Sequence, residues 1–267
     1  MRPVVLVDFQ KNNGTSLLEA YTRAVGTLLN RLDAAPVLEK EMRILLKPNL
    51  VNASPFPVTT SPIFCEAVID CLRQITRAEL IIAEGCGDID LETADVFNQL
   101  GYTDLSKKKD IRLIDLNHEP LRTLSNPQCD CFPEMHLPEI AFESFIVSLP
   151  VLKAHSLADV TGTLKNMMGF APPQYYQGQY GTYKKAVFHG AMHQSITDLN
   201  RYRRPDLSIM DATIGLAEYH LGGPMCDPPV KKIIGGFDPY GVDQAAAQCL
   251  HLDWKKIPHI FPVKGSG

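Results

Sequence analysis

The stretch LPVLKAHSLADVTGTLKNMMGF, residues 149–170, begins as an apolar run of strand type and ends with helical spacing. Between the two sit Lys153, His155, Asp159, Thr161, Lys165 and Asn166. Lys153 and His155 are two positions apart, so they share a face if the strand persists through them. Thr161, Gly162 and Lys165 follow at the start of the next helix, where free N–H groups and the helix dipole favour negative charge. Two lysines beside a histidine suit a cradle for a phosphate or carboxylate, with His155 available for proton transfer or metal binding. The spacing is not the G-x4-G-K-[ST] of a Walker loop, and lone lysines are more often solvated surface groups.

Three other places carry similar chemistry. KPNLVNASPFPVTTSP puts Lys47, Asn49, Thr59, Thr60 and Ser61 after a strand and before a helix start, although Thr60 or Ser61 also suits a simple helix cap. In HGAMH, His189 and His193 are four apart and face one side if a helix has begun by residue 189. That spacing permits metal ligation but lacks the glutamate of H-E-x-x-H. Asp211 closes LSIMDA at the carboxyl end of an apolar run, where it orients a histidine, binds a cation or caps a turn. EGCGDID has two glycines and two acids but no third glycine of a dinucleotide fingerprint, and Cys129 and Cys131 form a C-x-C, not a zinc or iron–sulfur C-x2-C.

Such groups need a scaffold, and the chain alternates strand and helix signals. VVLVDF precedes a run in which Leu17, Leu18, Tyr21, Val25, Leu28, Leu29 and Leu32 recur at helical spacing. MRILLKPN then PIFCEAVIDCLRQI, and AELIIAEG then ETADVFNQLG, repeat the unit. Pro62 suits a first helical turn and Gly101 a helix end. Apolar strands alternating with amphipathic helices predict an α/β fold, a mostly parallel sheet with helices on both faces, as one domain over residues 1–267. Residues 118–142 read as an edge segment or hairpin, SFIVSLPVL as a single strand, and GAMHQSITDLNRYR as a helix. Residues 171–188, with Tyr175, Tyr176 and Tyr180, read as a mobile lid or a protein-binding surface.

A net charge of -4, from 26 basic and 30 acidic residues, argues against a nucleic-acid partner. No run of about 18 apolar residues predicts a membrane span. Seven scattered cysteines without a framework spacing fit a reducing, cytoplasmic compartment.

LLKPNLV, TTSP, AEG, LPVLKAHSLADVTGTLKNMMG, FHGAMHQSITDL, RPDLSIMDA and GGFDPYGVDQAA, in that order, resemble the domain of unknown function 362 family. The resemblance covers nearly the whole chain, and its core is K-x-H-x5-T-G-x2-K-N. The ferredoxin-type cysteine runs of some members are lacking. A more distant similarity, to the N-terminal domain of nickel-pincer lactate racemases, rests on His155 and Lys165 ten positions apart, followed by His189 or His193. There the fold is Rossmann-like or lactate-racemase N-domain-like. The similarity implies that His155 binds metal, Lys165 anchors the cofactor, and His189 or His193 transfers protons. Ser61 stands where those enzymes carry an arginine.

The resulting expectation is an enzyme acting on a small carboxylated or phosphorylated molecule, with metal-assisted proton transfer. Its catalytic candidates are His155, Lys165, His189 and Asp211. Its ligand-binding candidates are Lys47, Asn49, Thr59, Thr60, Lys153, Thr161 and Asn166. A divalent nickel or zinc ion would be held by His155, His189 and His193. The competing expectation is a binding or carrier protein for a metal or anionic cofactor.

Overall fold

A computed structural model describes residues 3–179, 181 and 183–261. The strands, in chain order, are β1 Val4–Asp8, β2 Arg43–Pro48, β3 Glu79–Glu84, β4 Arg112–Asp115, β5 Leu121–Ser125, β6 Glu134–Pro138, β7 Phe145–Leu149, β8 Val151–His155, β9 Asp159–Thr161, β10 Leu207–Leu216 and β11 Lys232–Gly236. The main sheet runs β1-β11-β10-β7-β2-β3-β4, and the five strands from β10 to β4 are mutually parallel. β11 and β1 add an antiparallel edge. The mostly parallel α/β expectation holds, and residues 118–142 form the separate β5-β6 hairpin.

Period-two burial explains why both faces are covered. Ile44, Leu46 and Ile82 pack on one side with the helices Leu17–Arg31 and Pro62–Ile75. Leu45, Ile81 and Ala83 pack on the other, with Leu164, Met167, Ile196 and Leu199. The helices begin where side chains satisfy their first N–H groups. Ser16 and Glu19 form a capping box, and Ser61 accepts from Ile63 N with Pro62 following it. Gly101, at φ 84°, separates two short helices in a left-handed conformation that a side chain would resist.

The run SFIVSLPVL is two strands, not one. Pro150 has no N–H for the ladder, and the chain parts from β2 there while staying beside β10. β7 pairs with β2 as far as Leu149 opposite Pro48, whereas β8 pairs with β10, Val151 opposite Asp211 and Lys153 opposite Leu216. β8 then turns back antiparallel into β9, with Lys153 opposite Thr161 and His155 opposite Asp159. The parallel sheet thus opens at its carboxyl edge between β2 and β8, the place where such sheets hold ligands.

The described residues within 171–188 are packed more closely than the polar composition of that segment suggests. Tyr176, Lys184, Lys185 and Phe188 are buried, and the Tyr176 hydroxyl accepts from His136 N at 2.8 Å. Tyr175 and Tyr183 remain about half exposed, and Tyr180 lies outside the described residues. Among the described residues, no helix is long and apolar enough to cross a membrane.

Candidate functional site

A cavity of about 210 Å³ occupies the open carboxyl edge. Under it lies a buried polar network. Lys47 Nζ pairs with Glu84 Oε1 at 2.6 Å and donates to Pro48 O at 2.8 Å and Asn166 Oδ1 at 3.2 Å. Those three contacts use all the donors of its ammonium. Glu84 in turn accepts from Leu50 N and Gly85 N at 2.8 and 2.9 Å. Asn49 Nδ2 donates to Asn166 Oδ1, and Asn49 Oδ1 accepts from Lys153 Nζ at 2.7 Å. Lys153 also donates to Val58 O at 2.6 Å, which bridges β8 to the loop after β2. Gly169 closes over the ion pair so tightly that a Cβ there would lie 2.2 Å from Glu84 Oε1. Lys47, Asn49 and Asn166 therefore build the floor and spend their polar atoms on it.

The groups that face the cavity differ from those that build it. Lys165 is half-buried and, among the described residues, has no hydrogen-bond or ion-pair partner for its Nζ. Thr161 is buried against the same cavity with an unpartnered Oγ1. Lys185 donates to Asn117 Oδ1 at 2.7 Å and to Ala171 O. Among the described residues no carboxylate bonds Lys153, Lys165 or Lys185, and all three line one space. Burial lowers Lys153 to about 7, helped by repulsion from Lys165, and lowers Lys165 to about 8 and Lys185 to about 7.

The histidines are oriented by their backbone contacts. His155 Nδ1 accepts from Leu157 N at 3.0 Å and Ala158 N at 3.3 Å, which leaves the proton on Nε2. His189 is opposite: its Nδ1 lies 3.2 Å from Ala186 O and donates to it, so Nε2 carries the lone pair. Burial first, then the Lys165 charge, pull both below the ordinary imidazole value and keep them neutral. His220 stacks on His155 at 3.8 Å and is lowered to about 3 by burial and Lys165. The cavity thus offers a donor at His155, a base at His189 and ammonium groups at Lys165 and Lys185.

Several predicted site residues lie elsewhere. The α-helix begins only at Met192, after a 3-10 turn at Ala186–Ala191, so His189 lies outside it and the two histidines diverge. His193 sits 2.8 Å from His259 Nδ1 and 3.5 Å from Asp159, outside the cavity lining. Asp211 is fully buried and accepts from Tyr21 Oη at 2.8 Å and from Thr213, away from the cavity. Thr60 Oγ1 donates to Leu149 O and Thr59 Oγ1 to Ser54 O, so both brace the loop after β2. The expected anion position at the helix start after Gly162 is filled by the protein's own Asp243, which accepts from Thr163 N at 2.6 Å and Leu164 N at 3.0 Å. Asp243→Ala is expected to cost about 1–3 kcal/mol, the usual penalty for leaving such buried donors unmade, measurable by urea unfolding.

The geometry does not fit a divalent ion held by His155, His189 and His193. His193 is outside the cavity, and His155 would have to bind through the nitrogen that carries its proton. Among the described residues, one trio of potential ligands has its atoms mutually within 4.8 Å: Glu92, Asp115 and His118. None of these is a predicted site residue, and Glu92 is already paired with Lys184 at 2.8 Å.

Lys185, His220, Tyr183 and Tyr219 also line the cavity and were not among the residues singled out from sequence. The YKK run in the Tyr-rich loop was a legible signal. The loop after β10 that holds Tyr219 and His220 follows the same carboxyl-end rule that pointed to Lys153.

The fold is similar to that of the lactate racemase apoprotein from Thermoanaerobacterium thermosaccharolyticum, with a TM-score of 0.52 and 12% identity over 86% of this chain and 54% of that one. It is also similar to a protein from Thermotoga maritima, with a TM-score of 0.51 and 11% identity over 91% of this chain and 61% of that one. The chain therefore spans a little over half the length of these two proteins, and at such identities the likeness is one of fold. No curated protein matches the sequence. Residues 44–248, most of the chain, match the family described as domain of unknown function DUF362, and the protein belongs to that family.

Proposed function

We propose that the protein is an enzyme that binds a small carboxylated or phosphorylated molecule at the carboxyl edge of its sheet and moves a proton on it. The observation that carries this reading is that the Lys165 ammonium and the Thr161 hydroxyl, both without a partner among the described residues, line one cavity in which no carboxylate bonds Lys153 or Lys185. An ammonium partly withdrawn from water without a counter-charge is costly, and an anionic ligand supplies its missing partner. His155 Nε2–H donates to a ligand oxygen, and His189 Nε2 accepts the proton.

The lactate racemase likeness supports proton transfer as the reaction class, as analogy only. Incubation with a panel of small carboxylates in deuterium oxide, followed by NMR, tests it. Deuterium incorporation is expected, and His189→Asn should slow it about 10²–10⁴-fold, the usual contribution of a positioned base. Binding without exchange for every ligand would instead favour a carrier.

Affinity for sulfate, which stays dianionic, should fall as pH rises from about 7 to 9. Lys153 and Lys185 at about 7 and Lys165 at about 8 lose their protons across that range. Binding at pH 8 should take up protons, detectable by calorimetry in buffers of different ionisation enthalpy. The ligand-free protein should change in the other direction. Its stability rises from pH 7 towards the ordinary lysine value of 10.5, because the unfolded chain still holds protons that the folded lysines have released.

A further inference from the structure

The cavity changes character with depth. Its floor consists of buried polar groups: Lys153 is 1% exposed, Asn166 2% and Thr161 3%. Its mouth is formed by large apolar and aromatic side chains that remain in solvent, Leu157 at 49%, Tyr183 at 45% and Tyr219 at 44%. Single exposed apolar residues are ordinary on protein surfaces, but these three line one cavity.

The two tyrosines are held there by the site histidines. Tyr183 stacks on His189 with ring centres 5.8 Å apart, and Tyr219 meets His220 edge-on at 5.0 Å. His220 in turn lies on His155. Each tyrosine of the collar is therefore tied, directly or through His220, to a proton-transfer histidine. The volume is informative as well. A cavity of about 150 Å³ holds a benzene molecule, so about 210 Å³ is more than a bare inorganic anion needs.

Building on the anion site proposed above, we infer that the ligand is an oxyacid anion with an aryl or alkyl body. Its head meets Lys165 and Thr161 on the floor, and its body lies between Tyr183 and Tyr219 at the mouth. Apolar contact at the rim and charge pairing at depth fix a head-first orientation, which brings the atoms next to the head level with His155 and His189.

Calorimetry with two pairs of probes at pH 7, phosphate with phenyl phosphate and acetate with phenylacetate, tests this. The phenyl member of at least one pair should bind ten-fold or more tightly than its parent, and the pair that shows it identifies the head group. In the double variant Tyr183→Ser, Tyr219→Ser, with its thermal midpoint checked to confirm folding, the ratio within that pair should fall towards one. If neither member of either pair binds, the anion reading itself is overturned. If parent and phenyl forms bind equally, or the ratio survives the double substitution, the anion reading stands and the collar inference is overturned.

Discussion

Glu84→Gln is expected to destabilise the protein by about 3–5 kcal/mol, the usual cost of removing one partner from a buried ion pair. Lys47 and Glu84 are 1% and 3% exposed at their side chains and 2.6 Å apart, and among the described residues no other carboxylate bonds Lys47. Burial already pulls Lys47 below its ordinary value while Glu84 holds it up, so in the variant Lys47 should shed its proton. Glutamine would also place an amide where Leu50 N and Gly85 N now donate to carboxylate oxygens. Urea unfolding should show a lower midpoint with an unchanged slope. Loss of less than about 1 kcal/mol would mean that the pair is not what holds the floor together. The double variant Lys47→Met, Glu84→Leu should recover much of the loss, since apolar replacement of a whole buried pair is often close to neutral.

Lys165→Met should have the opposite profile. Sulfate binding is expected to weaken by about 1.5–3 kcal/mol, roughly 10–150-fold, the range for a hydrogen bond to a charged group. Stability of the ligand-free protein should hold or rise, because the substitution removes an ammonium that burial disfavours and that no protein group compensates. Titration calorimetry and urea unfolding on the same sample read both effects. A variant that unfolds more easily and binds sulfate normally would make Lys165 a structural residue and leave the cavity without its principal anion contact. Read together, Glu84→Gln and Lys165→Met separate the lysine that builds the site from the lysine that serves it.

The amino-acid sequence by itself determined the class of fold and pointed to the edge where the cavity lies. Apolar strands flanked by amphipathic helices have few ways to bury themselves other than a parallel sheet covered on both faces, and residues just past such strands collect at one edge. Lys153 and His155 keep strand alternation, so both reach the cavity as their spacing predicts. Tertiary structure decided which polar groups remain free. Lys47 and Lys165 are indistinguishable as lysines in sequence, yet one meets Glu84 from β3 and the other bonds no group among the described residues. The helix start after Gly162 promised an anion position, but Asp243, some eighty residues later, takes it, and a Cβ at Gly162 would lie 2.2 Å from that carboxylate. His189 and His193 part because the backbone at Ala191, φ -150° and ψ 66°, is not helical, a local geometry that a four-residue spacing does not encode. Local pattern records which segments must be buried; pairing between groups distant in the chain is settled only when the core brings them within hydrogen-bonding reach.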